Sequence, residues 1–187
     1  MKALSDYLKK VFPVIKDRKK LIVIFLILVI FGITYSRYLK ALFFLAIFIA
    51  AGGASKFYHR LFKTSVGIDL VFFTTIMISL VYKNLFFSLL NAWLGLIIAD
   101  NFGQKLSYTS IVSLVGLSII AIAAKFMPFS FLISAIVLTI IFEIYSVISY
   151  NLLGSSLDKI AVYFATHFAF NIFLILSFAE SLSKIMV

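Results

Sequence analysis

The 187-residue chain contains no cysteine, which excludes disulfides, thiolate metal sites, iron–sulfur clusters and cysteine nucleophiles. Charge is also scarce. Only 13% of residues are charged, against about 25% in soluble domains. Acidic residues number 7 against 17 basic ones, and there are 2 histidines, 2 prolines and 1 tryptophan. No Walker loop, clustered aspartate pair, GxSxG or rhomboid-like serine set is present, nor a histidine-rich phosphatase set, so no catalytic motif directs the reading toward an enzyme. The basic excess lacks an aromatic-interleaved groove or any nucleic-acid motif, and is better matched to the cytoplasmic face and anionic lipid of a membrane.

What is abundant is hydrophobic side chain, 64% of residues, with a mean hydropathy of +1.16. A bilayer core of roughly 30 Å takes about 20 apolar helical residues to cross. Seven apolar segments satisfy or approach that length, at about 21–36, 38–54, 66–82, 85–103, 108–126, 130–152 and 159–182. Continuous apolar runs without alternation exclude a barrel, and open strands cannot satisfy their backbone groups in lipid. The expected class is therefore all-α, a polytopic transmembrane bundle of six or seven spans forming one domain over 21–187. The 21–36 and 85–99 runs are short enough to be tilted or re-entrant.

Residues 1–20 carry seven basic residues among apolar ones at helical spacing, interrupted by Pro13. They read either as an amphipathic cytoplasmic helix or as a positive tail that orients the first span. Under seven crossings, one side collects twelve of the 17 lysines and arginines, which places the amino terminus in the cytoplasm and suggests the cell membrane.

Ionisable side chains inside spans cost roughly 2.5–3.5 kcal/mol each, so they are the first candidates for function. Glu143 sits mid-span with Thr139, Ser146 and Tyr150 on its face. It serves either as a functional carboxyl or as interhelical glue. Tyr163, His167 and Asn171 are spaced by four and share a stripe. His167 is placed to bind a ligand or proton, or to bond another helix such as that of Glu143. Metal ligation is disfavoured because the two histidines are far apart in the pattern, and no cofactor is expected. Asp69 and Asn91 reach the same interior from the 66–82 and 85–103 segments. Asp100 and Glu180, near span ends, read as solvated or capping, and Lys105 and Lys125 as snorkelling. Ala46, Ala50 and Ala54 form a smooth strip, suited either to packing within the bundle or to docking on a partner membrane protein.

The stretch reading GIDLVFFTT at 67–75 and YKNLFFSLLNAWLGLIIAD at 82–100 resembles the second and third helices of substrate-binding S components of energy-coupling-factor vitamin transporters. The rod-shape protein family MreD is similar there too. Gly67, the Tyr82–Asn84 turn, Gly95, Asp100 and the later Asn171 carry the resemblance, over about 38–182. It implies a six-helix bundle that binds a small molecule and docks on a coupling subunit through Ala46, Ala50 and Ala54. The cavity lining is then Asp69, Asn91, Glu143, Tyr163, His167 and Asn171. The MreD likeness implies instead a scaffold that recruits protein partners. His167 and Asn171 also make an HxxxN pattern that resembles one element of the intramembrane CPBP proteases, but the paired glutamates of those enzymes are missing. An intramembrane enzyme is the third reading, resting on Glu143 and His167.

Overall fold

The computed structural model describes residues 18–57, 67–103 and 108–187, so most of the segment expected to be amphipathic over 1–20 lies outside the described residues, as do His59 and Lys105. The chain divides into two units, Met1–Leu39 and Lys40–Val187. The described part of the first, residues 18–39, is entirely helical. The second holds the bundle.

Six helices make up the described residues: α1 (Arg18–Ser55), α2 (Val71–Tyr82), α3 (Leu85–Gly103), α4 (Tyr108–Phe126), α5 (Phe131–Leu152) and α6 (Leu157–Met186). Among the described residues there is no strand. Five stretches are long and apolar enough to cross a membrane, Ser36–Ser55 of α1 and the whole or nearly the whole of α3 to α6. This is the architecture of an integral membrane protein. The spans expected at 21–36 and 38–54 are one helix, because the winding continues through Arg37. Arginine is a good helix former, and a charged residue inside an apolar run marks no turn by itself.

Helix α2 is the hub. It contacts α3, α4, α5 and α6, and each residue from Val71 to Leu80, together with Tyr82, is buried. A helix that is apolar all round belongs in such a position. It is shorter than the 66–82 segment, since residues 67–70 are not helical. Gly67 and Asp69 are both buried, and the Gly67 N–H donates to Thr166 Oγ1 at 2.9 Å. A Cβ on Gly67 would stand 2.6 Å from His167 Cβ, so only glycine permits this approach.

The helix ends follow local chemistry. Asp69 Oδ1 accepts from the Val71 N–H at 3.1 Å and starts α2. Asn84 Oδ1 accepts from the Phe87 N–H at 3.2 Å and starts α3. Gly154, at φ +76°, closes α5: its N–H donates to Asn151 O, and the Ser155 N–H donates to Tyr150 O, each at 3.0 Å. Val187 comes back to Lys40, whose Nζ donates to Val187 O at 2.9 Å. Tyr82 OH donates to Met186 O, one residue before.

Between helices in lipid there is little hydrophobic driving force, so close van der Waals contact carries the packing. On α1 that contact is made by Gly52 and Gly53, which are buried, whereas Ala46, Ala50 and Ala54 face outward. The reading of the alanine strip as internal packing is thereby corrected. A Cβ on Gly53 would lie 2.5 Å from Ile98 Cγ2, and one on Gly52 would lie 3.2 Å from Val71 Cγ2. Gly53→Ala is therefore expected to cost about 1–3 kcal/mol through overpacking, whereas at Gly52 the neighbour need give only a few tenths of an ångström. Equal thermal midpoints in detergent for wild type and Gly53→Ala would contradict this contact.

Candidate functional site

The middle of the bundle holds a polar cluster between α5 and α6. Glu143 is 1% exposed, and its face, with Thr139, Ser146 and Tyr150, is buried. His167 Nδ1 and Glu143 Oε1 form a hydrogen bond across the seam between the two helices. With one proton the pair is neutral overall, whichever of the two carries it, which makes a carboxyl tolerable at this depth. Tyr163 stacks on the imidazole at 5.2 Å and an interplanar angle of 17°. Phe72 and Phe142 place their rings 5.2 and 5.3 Å from it. One turn on, Asn171 Nδ2 donates to His167 O at 2.9 Å. Immediately beyond, the α6 backbone widens to a π-helical turn over Ile175–Ala179, a feature frequent beside functional sites.

Hydrogen bonding in this cluster is incomplete. Among the described residues, Glu143 Oε2, Asn171 Oδ1, Asn91 Oδ1 and Ser79 Oγ are buried without a hydrogen-bond partner. Asn91 uses its amide nitrogen on Thr74 and Thr75 of α2, at 3.1 and 3.2 Å, leaving its oxygen spare. Three of the four spare atoms are carbonyl or carboxyl oxygens, so the interior is rich in acceptors.

A second polar group lies at the end of the bundle where α1 and α3 finish and α2 begins. Lys56 Nζ stands 2.8 Å from Asp100 Oδ1 and 3.7 Å from Asp69 Oδ2, with all three side chains about nine-tenths buried. Asp100, expected to be solvated or capping, is instead 4% exposed and ion-paired. It is α1's final turn that delivers Lys56 to it. Asp69 joins this network as well as capping α2. Burial alone would raise its pKa, but Lys56 foremost, then the His167 ring and two backbone N–H groups, hold it below its ordinary 3.8. Burial is likewise the largest influence on Lys56 and lowers it, yet Asp69 and Asp100 together hold it above 10.5.

Asp69 is depressed, so its stabilisation is complete above its ordinary value and is lost as pH falls through the lowered one. Lys56 is raised, so its share is complete below its ordinary value and is lost as pH rises through the higher one. The thermal midpoint in detergent is expected to be flat between about pH 5 and pH 9 as far as this network is concerned, with losses only outside that window. A decline beginning near neutrality that Asp69→Asn removes would contradict it.

Of the six residues expected to line one cavity, the structure brings Glu143, Tyr163, His167 and Asn171 into contact. Asn91 is bonded to α2, and Asp69 belongs to the ion network. No family model, curated protein or solved structure matches the chain. The residues therefore carry the functional argument themselves. Sequence reasoning missed Lys56, whose place directly after an apolar run is an ordinary position for a solvated lysine, and whose partners are 13 and 44 residues away. It also missed Phe72 and Phe142, which look like any core phenylalanine until α2 and α5 are placed beside α6. Among the described residues no group of three His, Cys, Asp or Glu side chains is placed to hold a metal ion.

Proposed function

We propose that this membrane protein is a non-enzymatic binding component for a small molecule, of the kind that serves transport, with Glu143, Tyr163, His167 and Asn171 at the ligand and Asn91 contributing from α3. The observation that carries this reading is the set of buried acceptors without partners. Leaving a buried polar group unsatisfied costs roughly 1–3 kcal/mol, and helices that need only glue satisfy their polar atoms on one another. Spare oxygens on Glu143, Asn171 and Asn91 suit a ligand that donates hydrogen bonds. Asp69 supports the site at one remove by fixing the start of α2, whose Phe72 flanks His167.

A bundle of six helices with the alanine strip turned outward supports an arrangement resembling an S component. In that arrangement Ala46, Ala50 and Ala54 meet a coupling subunit in the cell membrane. The same exposed strip suits the MreD-like scaffold, but a scaffold has no use for unpaired acceptors in its interior.

The test is a thermal-shift screen of small molecules on detergent-solubilised protein. A ligand at a hundred times its Kd adds about 2.7 kcal/mol of stability. A compound that stabilises wild type and leaves the Glu143→Met/His167→Leu double variant unmoved is the expected result. Equal stabilisation of both proteins by every active compound would refute the site.

A further inference from the structure

The outer face of the α5–α6 seam carries a groove of about 530 Å³, lined by side chains that include Ile144, Val147, Ile148, Ile160, Ala161 and Phe164. That volume lies within the roughly 300–1,000 Å³ of small-molecule sites. Ile144 and Ile148 are 57% and 55% exposed, so the groove opens away from the bundle, on the face a bilayer covers. Its position along the helices is informative. Ile144 follows Glu143 and Val147 lies one turn on, while Phe164 and Ile160 precede His167 by three and seven residues. The groove thus follows the seam from the level of the Gly154 turn to the depth of Glu143 and His167. The hydrogen bond between those two residues is a polar tie across the same seam, and Glu143 Oε2 and Asn171 Oδ1 are buried without a partner.

We propose, resting on the binding reading above, that the ligand is a lipophile taken sideways from the bilayer through this seam. Its hydrocarbon body lies in the groove, and a small polar end, a hydroxyl, donates to Glu143 Oε2 or Asn171 Oδ1. The chemistry of the two halves selects this class. An entirely apolar trough offers nothing to a sugar, a nucleotide or a charged vitamin, and a fully charged headgroup is costly at mid-bilayer depth. Spare carbonyl and carboxyl oxygens reject an ether or ester end, which has no proton to give.

A hexadecanol with a diazirine on its chain is the probe, used on the full-length protein in phosphatidylcholine vesicles. Expected is saturable photolabelling on the peptides holding residues 144–148 and 160–164. Unlabelled hexadecanol competes, and its methyl ether competes about tenfold less well, the factor that one hydrogen bond of about 1.4 kcal/mol confers. Ala161→Trp fills the groove from its exposed side without touching the interior, and abolishes saturable labelling while the thermal midpoint stays put. Labelling that never saturates, equal competition by alcohol and ether, or labelling indifferent to Ala161→Trp overturns lateral uptake. The intact mass of wild type extracted from its native membrane separates the two failures. A Glu143-dependent water-soluble adduct beside unsaturable labelling leaves the binding site standing and removes only the lipophile. No adduct together with unsaturable labelling removes both.

Discussion

His167→Leu destabilises the protein by about 3–5 kcal/mol, because it strands the Glu143 carboxyl in the middle of the bundle. Glu143→Met costs less, about 1–3 kcal/mol, since it leaves one imidazole nitrogen without its hydrogen bond. The double variant Glu143→Met/His167→Leu recovers most of the loss, as buried pairs exchanged for apolar side chains of similar volume usually do. A thermodynamic cycle over the four proteins thus yields a large favourable coupling between the two positions. Recovery of stability without recovery of ligand binding separates function from packing. If the pair were only glue, the repaired double variant would behave as wild type in every assay. Additive losses with no recovery would instead mean that the two residues do not interact.

Lys56→Met is the second large effect. It leaves Asp100 and Asp69 buried around the place that the ammonium occupied, 2.8 and 3.7 Å from it, and the expected cost is again about 3–5 kcal/mol. Its pH dependence identifies the cause. Without Lys56 the chief influence lowering Asp69 is gone, so the acid-side loss of stability begins at higher pH than in wild type. Lys56→Arg keeps the charge and recovers part of the loss, limited by how well the larger guanidinium fits. A Met variant with wild-type stability across the pH range would show that the three groups do not act as a buried network.

The class of fold was legible because lipid leaves the backbone only helices or closed barrels, and long apolar runs without alternation select helices. Helix boundaries were less so. The first two apolar segments merge because Arg37 interrupts hydropathy without interrupting the winding, while 66–82 shortens because Asp69, taken as an interior residue, caps a helix that starts after it. Within the site, Glu143 and the Tyr163–His167–Asn171 stripe were visible as polar residues at helical spacing in apolar spans. Their pairing needed only that α5 and α6 be neighbours, which a tight Gly154 turn ensures. The Lys56 network was illegible because nothing in local spacing tells a lysine at the end of a span that two aspartates will fold over it. The alanine strip was legible as a strip, but its spacing alone did not say whether it faces inward or outward. That was decided by Gly52 and Gly53, which permit a closer approach than alanine and take the inner face.

The most direct measurement is the intact mass of the protein, extracted gently from its native membrane, beside that of the Glu143→Met/His167→Leu variant prepared in the same way. A discrete small-molecule adduct on wild type and its absence from the variant, whose stability is largely recovered, is the expected result. An adduct of the same mass on both, or a protein partner retained by both with no small molecule on either, would contradict a ligand site at Glu143 and His167.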